Sequence, residues 1–158
     1  MADMTRHEAI TALRKYIEAN VSQFDGRTDG DPTHVHDGAV PIGGMPESRM
    51  PFMMVVEGSD EIDDRITFGR DIILRLGLTW VYKDGLDGKT AMETGRNIED
   101  ALIKKLHQAN TEQLPVAGTP TILMLEILPS NEPFIWPDIH NTLSSRGRVI
   151  TIKYRQES

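Results

Sequence analysis

One stretch of the chain determines the predicted architecture, Ile66-Thr67-Phe68-Gly69-Arg70-Asp71-Ile72-Ile73-Leu74-Arg75-Leu76-Gly77-Leu78-Thr79-Trp80-Val81-Tyr82. Apolar side chains occupy its even positions, and only Arg70 interrupts the row. A period of two is typical of a β-strand, because successive side chains of a strand point to opposite faces. At about 3.3 Å per residue the strand would span roughly 55 Å, well beyond an ordinary strand. We therefore predict that it bends at Gly69 or Gly77, or pairs in part with another copy.

A second strand is predicted immediately before the long one. The run Phe52–Glu57 is apolar up to Val56 and ends at Gly58, and an acidic segment then leads into the long strand. The two strands are therefore expected to pair antiparallel. The acidic residues Asp60, Glu61, Asp63 and Asp64 could act as paired carboxylates, but no apolar pocket is evident that would separate their pKa values. We expect a solvated turn there.

Two amphipathic helices are predicted. The first covers residues 5–21, with Thr5 as its N-cap and Glu8 completing a capping box. The second covers Thr90–Gln108, with an apolar stripe and with Glu99 among the charged residues that lie largely off it.

The C-terminal third predicts two further strands. Thr121–Leu128 is apolar at nearly every position, which favours a central strand covered on both faces. Arg148–Arg155 alternates, and residues 129–147 are expected to be a long connection. The element order is α-β-β-α-β-β. We predict a single α+β domain over residues 1–158, with a mostly antiparallel sheet and two helices packed on one face.

Composition limits the function classes. The chain has 158 residues, a formal net charge of −7, a pI near 5.2 and no cysteine. A negative chain is a poor binder of nucleic acid, and the lack of cysteine excludes thiolate catalysis and disulfides. No signal peptide or membrane-spanning run is apparent, so we expect a soluble protein made in the cytoplasm.

Two motifs with possible chemistry have simpler explanations. Gly85-Leu86-Asp87-Gly88-Lys89-Thr90 lies between a strand and a helix, but its glycines are too close together for a phosphate-binding loop. His34, His36 and Asp37 could begin a metal site, but no third histidine has a related spacing, and histidines in a polar loop are usually solvated. We expect no catalytic residue, no cofactor and no metal.

Candidate interface residues come from three places. Residues 22–51 form a loop rich in glycine and proline, and long loops of this kind are commonly binding loops or disordered. Met45 and Met50 lie in it, and methionine adapts to irregular partner surfaces. Trp136 either packs on the core or is an exposed anchor. Ile73 and Val81 lie on the outward face of the long strand, which we predict to be an assembly surface.

In order and size of elements the chain resembles the tail terminator proteins of long-tailed bacteriophages. These are small, acidic, cysteine-poor proteins. The resemblance rests on the capped helix, the long hairpin, the second helix and the closing strands, here Thr5–Val21, Phe52–Gly58 with Arg65–Lys83, Thr90–Gln108, and Thr121–Leu128 with Arg148–Arg155. The loop at 22–51 is longer and richer in glycine than the loop expected in tail terminator proteins.

The resemblance implies a virion protein that forms a homo-oligomeric ring, usually a hexamer, and performs no chemistry. Such a ring caps the tail tube and joins it to the head–tail connector, so the tail tube protein and the connector protein are the implied partners. DNA would pass through the negatively charged lumen without specific binding. Two alternatives stay open, another neck or tail-tube component of a phage, and a small cytosolic α+β enzyme or ligand-binding protein.

Overall fold

The structure, a computed structural model, describes residues 5–24, 34–38, 51–63, 70–83, 88–112, 123–127, 134–137 and 142–156. Its elements in chain order are α1 (Arg6–Asn20), a short 3₁₀ turn (Ser22–Phe24), β1 (Val35–Asp37), β2 (Phe52–Asp63), β3 (Arg70–Lys83), α2 (Gly88–Glu112), β4 (Leu123–Ile127), β5 (Phe134–Pro137) and β6 (Thr142–Gln156).

The strands form one sheet in the order β1-β2-β3-β6-β4, and β5 also pairs with β6. Every pair is antiparallel except β1 with β2, which is parallel. The predicted α+β class and the mostly antiparallel sheet are confirmed. β1 and β5 add to the predicted order, since both lie in stretches expected to be loops.

The predicted N-cap at Thr5 is present, but Glu8 contacts the Thr5 side chain and not the Thr5 backbone N–H that a capping box uses. The Thr5 hydroxyl accepts the Glu8 backbone N–H at 3.1 Å and donates to the Glu8 carboxylate at 3.0 Å. At the other end the Val21 N–H reaches the Ile17 carbonyl at 2.9 Å. These bonds satisfy backbone and side-chain groups that a helix terminus would otherwise leave open, and they fix where α1 begins and ends.

The core lies on one face of the sheet, beneath both helices. From Ile72 onward the even-numbered row of β3 is at most 3% exposed, as its period of two predicts, and comprises Ile72, Leu74, Leu76, Leu78, Trp80 and Tyr82. Leu13 and Ile17 of α1 and Ile98 and Leu102 of α2 belong to the same cluster. The expectation of two helices on one face is therefore confirmed.

The chain supplies both neighbours of its longest predicted strand. β3 pairs with β6 from Arg70 to Lys83 and with β2 from Asp71 to Val81. The expectation that part of this strand pairs with another copy is therefore wrong over the described length. β2 continues to Asp63, so most of the predicted acidic turn is strand.

β4 lies at the edge of the sheet, not at its centre. Within the described residues it pairs with β6 alone. The prediction of a central strand is wrong for the single chain, although the sequence Leu-Met-Leu-Glu-Ile is typical of one.

Candidate functional site

The most distinctive surface of the described chain is an open edge on β2. β1 pairs only with Met53, Met54 and Val55, so no strand among the described residues covers that side of β2 from Val56 to Asp63. We call this segment the open edge. Val56 is 43% exposed and Ile62 is 51% exposed, and the described residues contain only one other exposed large apolar side chain, Met92.

A β-bulge divides the open edge. Glu57 pairs with Leu76 and Asp60 with Leu74, so three steps along β2 match two along β3. Because directly paired residues share a face and both leucines face the helices, Glu57 and Asp60 also lie on the helix face. In a regular strand of the same length, three positions after Glu57, Asp60 would lie on the opposite face.

Arg6, the first residue of α1, binds both of these carboxylates, which lie on the same face. Its guanidinium pairs with the Glu57 carboxylate at 3.0 Å and also with Asp60. A hydrogen bond to the Tyr154 hydroxyl raises the pKa of Arg6, and burial raises the pKa of Tyr154. The side chains of Arg6, Glu57 and Asp60 are 44%, 40% and 37% exposed. Exposed ion pairs stabilise weakly, so the contribution of this cluster to the free energy of unfolding is small.

The face of β3 that points away from the helices is only partly exposed. Ile73 is half-buried. Val81 is fully buried and pairs with Phe52, itself fully buried. A charge at Val81 would therefore act on the stability of the chain itself. Of the two residues proposed on this face, only Ile73 has solvent-accessible side-chain surface that a partner could contact.

The other proposed interface residues are placed less completely. Met45 and Met50 lie outside the described residues. Trp136 lies in β5, opposite Leu143 of β6. Their role at an interface stays a prediction.

The centre of the predicted 22–51 loop is held to the core by α1. Arg14 donates from Nε and Nη2 to the Val35 carbonyl at 3.1 and 3.0 Å, and the Glu18 carboxylate accepts the Val35 N–H at 3.2 Å. Val35 is fully buried. One residue of β1 thus has both backbone groups bound by side chains four positions apart on a helix.

The two loop histidines are part of this packing, which corrects the expectation that they are solvated. His34 is 8% exposed, and its Nδ1 lies 2.9 Å from the Pro51 carbonyl oxygen. A carbonyl only accepts, so His34 carries a proton on Nδ1. The His36 ring meets Phe52 edge to face, with centroids 5.8 Å apart. Asp37 turns instead toward His7, at 3.9 Å.

A buried charge cluster joins α2 to β6. Glu99 is 6% exposed, and its carboxylate binds Arg148 Nη2 at 2.7 Å and Arg146 Nε. Burial opposes ionisation of Glu99, but the hydrogen bonds from Arg146 and Arg148 outweigh it and hold its pKa below the usual range. The prediction that Glu99 lies off the buried stripe is therefore wrong.

Alternation could have revealed the two arginines. Ile150 and Ile152 face the core, and continuing that row backward by twos reaches Arg148 and then Arg146. Both register with core residues of β3, Leu78 and Trp80.

Groups suited to chemistry are scarce in the described part of the chain. No cluster of three or more histidine, cysteine, aspartate or glutamate side chains there has the geometry to hold a metal ion. None of the described helices is long and apolar enough to cross a membrane.

No protein-family model and no curated protein matches the sequence. Among solved structures, a chain of the virion of native gene transfer agent (GTA) particle aligns with a TM-score of 0.40 and 15% identity, over 93% of this chain and 94% of that chain. At that TM-score and identity the alignment assigns neither a family nor a function.

Proposed function

We propose that this protein is a structural subunit of a virion, one that resembles a phage tail terminator. In this proposal it forms a ring, with six copies as the expected number. The ring caps the tail tube and joins it to the head–tail connector. Its role is assembly and passage of DNA, and no chemistry is assigned to any residue.

The observation that carries the proposal is that, among the described residues, both lateral edges of the sheet have backbone without a neighbouring strand. On one side, β2 has an open edge bearing the exposed apolar residues Val56 and Ile62. On the other, β4 is an edge strand with a central-strand sequence. Proteins that stay monomeric usually protect such edges, because exposed strand edges promote association. A chain with two of them is suited to repeated assembly, in which each copy completes the next.

Charge is consistent with this role. Each copy carries a formal net charge of −7, which would be multiplied around a ring. A negatively charged lumen repels phosphate and lets DNA move through without adhering. The tail tube protein and the connector protein are the proposed partners at the two ends of the ring.

Light scattering on the purified protein, with negative-stain images, tests the proposal. We expect a ring with a mass close to six times 17.7 kDa. A protein that stays monomeric at high concentration, or that binds a stoichiometric metal or nucleotide, would instead support a small enzyme or ligand-binding protein. A stacked tube would point to a tail-tube component.

Capping of tubes provides a second test. Purified tail tubes should bind the protein at one end only, and the bound ends should stop growing when more tube protein is added. Binding along the sides of the tubes would contradict a terminator role while leaving self-assembly intact.

A further inference from the structure

We infer that the ring interface is a β-sheet continued from copy to copy, in which the open edge of β2 pairs with β4 of the neighbouring copy. This inference rests on the proposed function and adds to it the contact surface. The occupant of the open edge is a second copy of this chain.

The two edges lie at the same height in the sheet. Leu123 of β4 pairs with Lys153, which pairs with Ile73, which pairs with Glu61. By the same route Ile127 is level with Glu57, through Ile150 and Leu76. β4 therefore occupies the rows that the open edge leaves without a partner. If the copies are arranged around an axis parallel to the strands, the two edges meet without any shift along that axis. The assembly then closes into a ring and does not form a helix.

The strand directions also agree. Along β4 the residue number rises from the level of Glu61 toward the level of Glu57, whereas along β2 it falls. A neighbour in the same orientation would therefore present β2 antiparallel to β4. Antiparallel pairing is the slightly more stable arrangement and is the one used by most of this sheet.

Backbone groups are available on the open edge. The Met53 N–H and the Val55 carbonyl point toward β1. Residues on the helix face of β2 thus direct their backbone groups to that side, since side-chain face and hydrogen-bond direction alternate together along a strand. Beyond the bulge this assigns outward N–H groups to Asp60 and Ile62, which share the helix face with Leu74 and Ile72.

Charge favours pairing of the open edge with β4 of a neighbouring copy over pairing of two open edges with each other. The open edge carries four acidic residues, Glu57, Asp60, Glu61 and Asp63, against the single positive charge of Arg6 that pairs with Glu57 and Asp60, so two such edges side by side would still repel. β4 carries a single acidic residue, Glu126, and the strand beside it carries Lys153. Head-to-tail pairing is therefore favoured over a two-fold dimer.

The pairing also accounts for the sequence of β4. Leu-Met-Leu-Glu-Ile at a free edge is an aggregation hazard, whereas the same sequence is ordinary in a central strand. In the ring β4 would lie between β6 and the neighbour's β2. The central position predicted from the sequence would then be correct in the assembly.

Ile62→Pro tests the backbone pairing, with Ile62→Val as the matched control. Proline removes an outward N–H and places its ring at the contact, while the ladder between β2 and β3 keeps its bonds. We expect the proline variant to stay a folded monomer and to associate about tenfold or more weakly, and the valine variant to form rings. Rings of normal stability from a folded Ile62→Pro variant would overturn the inference.

Crosslinking gives an independent test, since the chain contains no cysteine of its own. Asp60 and Met124 are level in the sheet and register with the same core row, so Asp60→Cys with Met124→Cys should join neighbouring copies on mild oxidation. We expect a ladder of covalent oligomers ending at the ring size. The control is Asp60→Cys with Arg96→Cys on the exposed face of α2, which should give no ladder.

The outcomes separate the two proposals. Rings that form without the Asp60–Met124 crosslink would overturn the edge pairing and leave the proposed function standing. Failure of the wild-type protein to form rings under any condition would overturn both.

Discussion

The Arg14 guanidinium holds the Val35 carbonyl with two hydrogen bonds, at 3.1 and 3.0 Å. Glu18, one turn further along α1, accepts the N–H of the same residue. Together these two side chains satisfy the outward backbone groups of Val35, which a neighbouring strand would otherwise bind. A short parallel strand at a sheet edge is thereby fixed in place and shielded from pairing with other chains.

Arg14→Ala should release this strand. Hydrogen bonds to charged groups contribute about 1.5–3 kcal/mol, and the variant leaves the buried Val35 carbonyl without its donors, so a loss of that size in unfolding free energy is expected. Urea denaturation measures it. Backbone amides of residues 34–38 should exchange slowly with solvent in the wild type and faster in the variant. Lys15→Ala, at the exposed neighbouring position, should change neither quantity.

Gly95→Ala should destabilise the protein although alanine favours helices. A Cβ at Gly95 would collide with the Tyr82 hydroxyl and lie only 2.9 Å from its Cζ. Overpacking of this kind costs about 1–3 kcal/mol, more than the gain of up to ~1 kcal/mol from helix propensity. Thermal melting would show the loss. Tyr82→Phe combined with Gly95→Ala should recover part of it, because the nearest atom is gone. Asn97→Ala, exposed on the same helix, is the control.

Glu99 should make the protein sensitive to acid. Its pKa is lowered in the folded state, so its contribution is complete above the unfolded value of about 4.3 and is lost as pH falls through the folded value. Glu99→Gln leaves two arginines without their carboxylate and should cost about 3 kcal/mol at pH 7. The difference in unfolding free energy between wild type and variant should shrink below about pH 4. A difference that is constant with pH would contradict this assignment. The exposed neighbour Asp100→Asn should show no comparable effect.

Replacing His34 and His36 together by alanine should lower stability without removing a bound metal. The double variant leaves the Pro51 carbonyl without the His34 ring and deletes the aromatic contact with Phe52. We expect a loss of about 1–3 kcal/mol by urea denaturation. Elemental analysis of the wild type should find no stoichiometric metal. An unchanged unfolding free energy would argue that these rings are solvated after all.

Ile73→Glu tests the outward face of β3 as an assembly surface. Ile73 is half-buried and in register with Lys153 on one side and Glu61 on the other, so the new carboxylate gains one attractive and one repulsive neighbour and the variant should still fold. If this face contacts a partner, rings or tube capping should be lost in light scattering and electron microscopy. Normal assembly would confine the interface to the sheet edges.

Periodicity predicted the parts of the fold where many side chains repeat one pattern. The apolar row of β3 from Ile72 to Tyr82 and the alternation predicted for Arg148–Arg155 were correct, and Ile150, Ile152 and Tyr154 are buried, because burying one face of a sheet imposes a period of two. The cap at Thr5 was correct because it depends on residues close in sequence.

The errors have a common physical origin in contacts between distant segments. β1 is three residues long, too short for any period, and is stabilised by α1 and β2. Arg14 and Glu18 read as an ordinary surface pair on a helix, and nothing local indicates that they bind Val35. The position of β4 depends on which strand it joins, which periodicity does not encode.

The bulge between Glu57 and Asp60 determines the face of β2 on which the later side chains lie. Glu57 and Asp60 are three positions apart and still share the helix face, because the bulge accommodates one extra residue; deletion of Ser59 would remove the bulge and leave Asp60 opposite Leu74. A regular strand of unchanged length would instead turn Asp60 away from Arg6 and move the apolar side chain of Ile62 to the other face. The bulge therefore lets Glu57, Asp60 and Ile62, spaced by three and then by two positions, lie on one face at the rim of the subunit.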